Sequence, residues 1–466
     1  MGFFLLGRNR TEVEAGLTEH GLELDAVLTK FKAEPAGRLV SDEVFRLEDD
    51  TNNPYLPEPE AYRDLLDQPL LDFYASEREE RGGWGAWLPV SLAELRDGEP
   101  KLEDTAPFCP PLVPTLAQAV SWRHWPANGS QGAVFGDIAD ALRLIRADKA
   151  AWRPVAHPRV NAWIVDRGLN AGWLGGAYGG GLGLGKVPGG PAAGTLHSPN
   201  VNARAEHGHQ MVALIRRLAG REVRFYDAPL IPPRISKIDE FVPRAFFGYL
   251  AIYFKINFDY RNVLGPWIVL SPWGFFDRRS EVPRGKVTEG AGHAVNGAVR
   301  VAGGGVIGAR PVDLVFAAGN GGQFFPDRRT GPYEGGPGRS IWFPNGLGEA
   351  ITVGAVRADG LWVGTASEGP APELRPGLPN RKPDFAAPGW FGDATDRSLR
   401  YTGTSAASAI VAGAVALVRQ RVDGNVLSPA ALAALLRRTA RKRMRDRWNP
   451  RTGEGVLDLA ALAAAI

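Results

Sequence analysis

From residue 138 onward the chain alternates two hydrophobic patterns. Short, mostly apolar runs at 160–165, 223–226, 267–270, 312–317 and 350–356 read as strands buried on both faces. Between them, 138–152, 206–218, 245–254 and 294–301 place apolar residues at helical spacing. Strands and helices in such alternation predict a doubly wound, mainly parallel α/β sheet, which takes ligands at the carboxyl ends of its strands. Asp166 and Asn320 fall at such ends. The segment YTGTSAASAIVAGAVALV, residues 401–418, is the most apolar of all. It predicts a helix buried on every face, with Ser405 just after a Gly403-Thr404 turn. Before residue 136 the pattern is weak. Amphipathic helices are expected at 22–31 and at 61–80, the second interrupted at Pro69, and 107–114 carries four prolines and reads as an irregular linker. The expected division is a smaller α+β region of unassigned role over 1–136 and a main domain over 137–466.

Composition narrows the class without naming a chemistry. The chain has 466 residues, 44% hydrophobic and 23% charged, which is ordinary for a soluble protein, and its net charge of +3 implies no acidic partner. With 58 glycines and 37 prolines, many tight turns and long connections are expected. A single cysteine, Cys109, excludes an internal disulfide framework and a cysteine zinc site. Residues 1–6 are too short for a secretory leader, and 406–418 is too short to span a bilayer, so a cytoplasmic location without membrane attachment is expected. The charged cluster at 77–81 and the basic run at 437–447 read as solvated helix ends, so no nucleic-acid partner is expected. The glycine-rich stretch 172–194 lacks the spacing of a phosphate loop and reads as a long surface loop.

Four positions carry candidate chemistry, each with two readings. Asp166 either closes a turn or orients a histidine from the end of a buried strand. His207 opens a helix beside Gly208, which admits a close backbone neighbour, and it is a candidate base. His207 and His209 are also a possible metal pair, although two residues apart on a helix they point in different directions. Asn320, flanked by glycines, is either a turn former or a side-chain donor to an oxyanion. Ser405 is either part of a helix cap or a nucleophile held where helix N–H groups stabilise negative charge.

Taken together, VNAWIVDRGLN, HGHQMVALI, VDLVFAAGNGG, AITVGAVRADG, KPDFAAPG and YTGTSAASAIVAGAVALV resemble, in order, the segments of the subtilases, the subtilisin-like serine peptidases. The resemblance covers about residues 137–466. It implies a three-layer α/β fold and a serine endopeptidase working through an acyl-enzyme on polypeptide substrates. By the same match Asp166 orients, His207 is the base, Ser405 attacks, and Asn320 with the Ser405 backbone N–H forms the oxyanion hole. Ser271, Pro272, Trp273 and Gly274 stand where relatives pair with the substrate. No cofactor is implied for the chemistry. Structural calcium is frequent in the family, but no ligand set here matches residue by residue, so any metal site is unassigned.

This chain departs from the pattern at several points. Arg167 replaces a small hydroxyl residue, His209 replaces a threonine, Met211-Val212 replaces Val-Ala, and Ala409 replaces a proline. Pro272 cannot donate a backbone hydrogen bond, so one rung of pairing with an extended peptide is missing. Loop insertions are expected at 172–200, 228–262 and 321–345. Restricted substrate range or regulation follows as an expectation. The alternative is a degenerate or gated subtilase acting mainly as a binding module, with residues 1–136 or a partner protein covering the cleft.

Overall fold

The computed structural model describes residues 136–156, 159–182, 206–231, 238–274, 287–304, 309–320, 340–358, 366–374, 379–393, 400–442 and 448–466, together with 3–7, 35–36, 84–88 and a few single positions. Its centre is a seven-stranded, all-parallel sheet. The strands are β4 (Val160–Val165), β5 (Tyr178–Gly181), β6 (Val223–Ala228), β7 (Trp267–Ser271), β8 (Val312–Ala317), β9 (Ile351–Val356) and β10 (Phe385–Pro388), in spatial order β10-β9-β8-β7-β4-β6-β5. Strands β4, β7 and β8 are buried at every position, which is why they read as unbroken apolar runs.

The two faces of the sheet bury different sets. Ala162, Ile164, Ile268, Leu270 and Val315 join the main core with helices α1 (Ile138–Leu144), α3 (His207–Ala219), α6 (Gly403–Arg419), α7 (Pro429–Thr439) and α8 (Leu459–Ala464). The alternate residues turn the other way. There Trp163, Tyr226 and Trp267 meet Tyr260, and Phe316 stacks near Tyr249 of α4 (Ile238–Phe254), which packs against α5 (Ala294–Ala302). Helices therefore flank both faces.

Helix α6 is the axis of the main core. All its residues are buried, and it lies on β7, β8, β9 and β10 with α3 alongside. Small side chains permit this closeness. A side chain on Gly413 would collide with Leu218, so α3 and α6 run with their backbones near each other. A short hairpin, β11 (Trp390–Gly392) with β12 (Arg400–Thr402), delivers the chain into the first turn of α6.

Several sequence expectations change. The helix expected at 138–152 ends at Leu144, because Arg146 takes a left-handed conformation with φ 57° and starts a separate 3-10 turn, Ala147–Lys149. Helix α4 begins seven residues before 245, through Pro243, so the expected insertion at 228–262 contains a long regular helix. The glycine-rich stretch is not all loop. Asn170 caps a short helix, α2 (Ala171–Leu174), and Tyr178–Gly181 forms the edge strand beside β6. Gly179 and Gly180 make this possible, since side chains there would strike the Tyr226 ring and the Tyr260 hydroxyl.

In the first 136 residues the described strands are β1 (Phe3–Gly7), β2 (Pro35–Ala36) and β3 (Trp84–Leu88), an antiparallel sheet in order β1-β3-β2, and β1 lies beside α5. The expected helix at 61–80, the linker at 107–114 and Cys109 lie outside the described residues. Of 22–31, only three positions are described, with Asp25 and Ala26 helical.

Candidate active site

The polar residues of interest gather at the carboxyl edge of β4, β7 and β8, which are neighbours in the sheet. Asp166 follows β4 directly. Its backbone N–H donates to Ala228 and its carbonyl accepts from Ile231, so strand β6 and its exit fix the position. The buried carboxylate accepts the Arg167 backbone N–H through Oδ1 at 2.8 Å and holds His207 Nδ1 through Oδ2 at 2.6 Å.

His207 is the first residue of α3, and the contact is possible because Gly208 follows it. A Cβ on Gly208 would lie 3.1 Å from Leu169 and 3.2 Å from the Gly168 carbonyl, so the loop after Asp166 rests on the helix backbone. With Nδ1 on the carboxylate, Nε2 is the free ring nitrogen, buried and without a partner among the described residues. The imidazole is thus held in the orientation of a base.

Ser405 lies in the first turn of α6, where its N–H has no acceptor within the helix. Gly413, eight residues after Ser405, and Leu218, eleven residues after His207, face each other, so both helices start at this same edge of the sheet. The Ser405 hydroxyl donates to the Pro272 carbonyl at 2.8 Å, rather than to His207. Catalytic hydrogen bonds of this kind commonly form or tighten only with substrate present.

Asn320 stands across from Ser405's turn. Its Oδ1 accepts from the Thr404 backbone N–H at 3.0 Å and from the Thr404 hydroxyl at 3.1 Å, which in turn accepts from the Gly319 N–H at 3.1 Å. Since Oδ1 meets only donors, Nδ2 is the donor end of the amide, and it has no acceptor among the described residues. Gly403 is what lets the amide sit there: its φ is +69°, and a Cβ would stand 2.7 Å from Asn320 Oδ1. Gly403→Ala is therefore expected to displace Asn320 and lower kcat about 10²-fold, with the fold intact by circular dichroism.

The departures have local explanations. Glu206 precedes His207 and is half-buried. Its carboxyl is pushed above the usual range by burial and by the nearby Asp166 charge, against the pull of Arg167 and His207. Arg167 thus serves as a counter-charge at the rim. His209 is no partner of His207. It is fully buried, stacks on Trp173 at 4.3 Å and accepts the Asn170 backbone N–H through Nε2 at 2.9 Å, so it anchors the loop that follows Asp166.

Of the expected substrate-binding positions, Pro272 touches Ser405 through its carbonyl, while the side chains of Ser271 and Trp273 point into the protein. Ser271 shares a 2.6 Å hydrogen bond with the Tyr249 hydroxyl, and Trp273 packs edge-on against Phe316. Tyr249 is wholly buried, and burial pushes its phenol well up, so it stays neutral. Any role of these two residues toward substrate is left to the backbone. Tyr249 and Asn345, which also hold this segment, escaped the sequence reading. Tyr249 falls inside the helix expected at 245–254, and Asn345 falls at the end of the insertion expected at 321–345.

Among the described residues no group of three His, Cys, Asp or Glu side chains could hold a metal ion, and no helix is long and apolar enough to cross a membrane.

The model of the Subtilase family matches residues 271–455. A search of curated protein sequences finds no match. Among solved structures, a cold-adapted subtilisin-like serine proteinase is 18% identical, with a TM-score of 0.43 over 70% of this chain and 98% of that one. A lanthipeptide protease is 16% identical, with a TM-score of 0.46 over 70% and 95%. An epidermin leader peptide processing serine protease from Staphylococcus aureus is 15% identical, with a TM-score of 0.46 over 86% and 97%.

Proposed function

We propose that this chain, a serine peptidase whose residues 271–455 belong to the subtilase family, is an endopeptidase that cleaves polypeptides through an acyl-enzyme on Ser405. The observation that carries the reading is the 2.6 Å pair of Asp166 and His207, which leaves Nε2 without a partner among the described residues, at the sheet edge where α6 begins with Ser405 in its first turn.

The chain's own groups account for each step. Ser405 Oγ leaves the Pro272 carbonyl and attacks the substrate carbonyl carbon while its proton passes to His207 Nε2. Asp166 stabilises the imidazolium so formed, and Asn320 Nδ2 with the Ser405 N–H receives the oxyanion. The C–N bond then breaks, the amine leaves with the proton from Nε2, and the acyl group stays on Oγ. Water attacks the ester, giving its proton to Nε2, and the C–O bond breaks to release the acid and restore the hydroxyl.

A gated form of this enzyme is the second reading. It is favoured by the engagement of the Ser405 hydroxyl with the Pro272 carbonyl. The test is hydrolysis of an unfolded protein by the whole chain and by a chain lacking residues 1–136. Cleavage by the whole chain supports an open peptidase, and cleavage only after truncation supports gating. A soluble truncated chain that cleaves nothing contradicts both.

A further inference from the structure

The two strand ends beside the nucleophile are tied together by one buried side chain. Asn345 is 1% exposed, and its Nδ2 donates to the Trp273 carbonyl at 2.5 Å and to the Ala317 carbonyl at 2.6 Å. Trp273 is the residue after Pro272, and Ala317 ends the strand that leads to Asn320. Both amide hydrogens are consumed, so Oδ1 is the atom left over, buried and without a partner among the described residues. The Asn345 backbone is held as well, its carbonyl accepting the Thr352 hydroxyl at 2.5 Å. Around it the two segments touch. A Cβ on Gly274 would stand 3.1 Å from Asn345 Nδ2 and 3.4 Å from the Gly319 α-carbon.

We infer that Asn345 closes the space into which the side chain before the scissile bond projects, and that it restricts this position to glycine, alanine or serine. The inference rests on the peptidase reading. A substrate carbonyl within reach of both Ser405 Oγ and Asn320 lies between the segments 272–274 and 318–320. The side chain next to that carbonyl must enter the same gap, and the Asn345 bridge spans it. A leucine or phenylalanine there breaks both Nδ2 bonds and leaves two carbonyls buried without donors, a cost a methyl or hydroxymethyl group avoids.

The experiment uses the full chain and quenched peptides that differ only before the scissile bond, carrying Gly, Ala, Ser, Leu or Phe. In parallel, a fluorophosphonate reports whether Ser405 is reactive. The wild type should favour alanine over leucine about 10²-fold in kcat/KM, and Asn345→Gly should shrink that preference at least about 10-fold. Wild-type cleavage after leucine or phenylalanine within about threefold of alanine, with Ser405 labelled, overturns the inference and spares the peptidase reading. Neither cleavage nor label in the wild type overturns both. Should Asn345→Gly fail to fold, the wild-type profile decides alone.

Discussion

Ser405→Ala is expected to cut kcat on the order of 10⁶-fold with KM little changed, because the base, the orienting acid and the oxyanion donors cannot act without the atom they serve. Such effects are not additive, so His207→Ala in the same background should cost almost nothing more. The fold should survive. Among the described residues the Ser405 hydroxyl makes one hydrogen bond, to the Pro272 carbonyl, and the serine sits in a helix whose other members are mostly alanine, valine and glycine. Equal kcat in the two chains would remove Ser405 from the chemistry.

The second large effect is on stability. At the far end of the same helix, Arg419 donates through Nε and a terminal nitrogen to the two oxygens of Asp313, at 2.5 and 2.7 Å, and a third nitrogen reaches the Leu427 carbonyl at 2.6 Å. Both partners of this ion pair are 1% exposed. Arg419→Met keeps most of the volume but strands a buried carboxylate, and it should destabilise by about 3–5 kcal/mol. Burial raises the Asp313 carboxyl, and Arg419 is what pulls it back down. Without the arginine the native carboxyl rises further above its unfolded value. A group raised in this way contributes stability that is present at low pH and lost as pH rises. The deficit of Arg419→Met should therefore be larger at pH 7 than at pH 5 in urea titrations, and adding Asp313→Leu should recover most of it. A deficit independent of pH would show that packing, not charge, is the role of the pair.

These two residues mark what a sequence can and cannot display. Strands β4 and β8 were legible to the residue, because a strand buried on both faces must be apolar throughout and its polar terminator stands out: Asp166 after β4, and Gly319-Asn320 shortly after β8. Helix α6 was legible because a helix buried on all sides loses its polar stripe. Strand β5 was not, since its glycines carry no hydrophobic pattern and its place depends on the rings of Tyr226 and Tyr260, distant in the chain. The turn of the Ser405 hydroxyl toward Pro272 and the Asn345 bridge were equally hidden. Each is a contact between residues far apart in sequence, set by how loops meet at the sheet edge.

The central claim is that Ser405 is a nucleophile activated by His207. Exposure of the whole chain to a fluorophosphonate, followed by peptide mapping, tests it most directly: fluoride leaves as Oγ bonds to phosphorus. The account predicts one adduct, on Ser405, that is lost in Ser405→Ala and forms far more slowly in His207→Ala. An unmodified Ser405 in a chain that cleaves protein, or an adduct forming equally fast without His207, would contradict it.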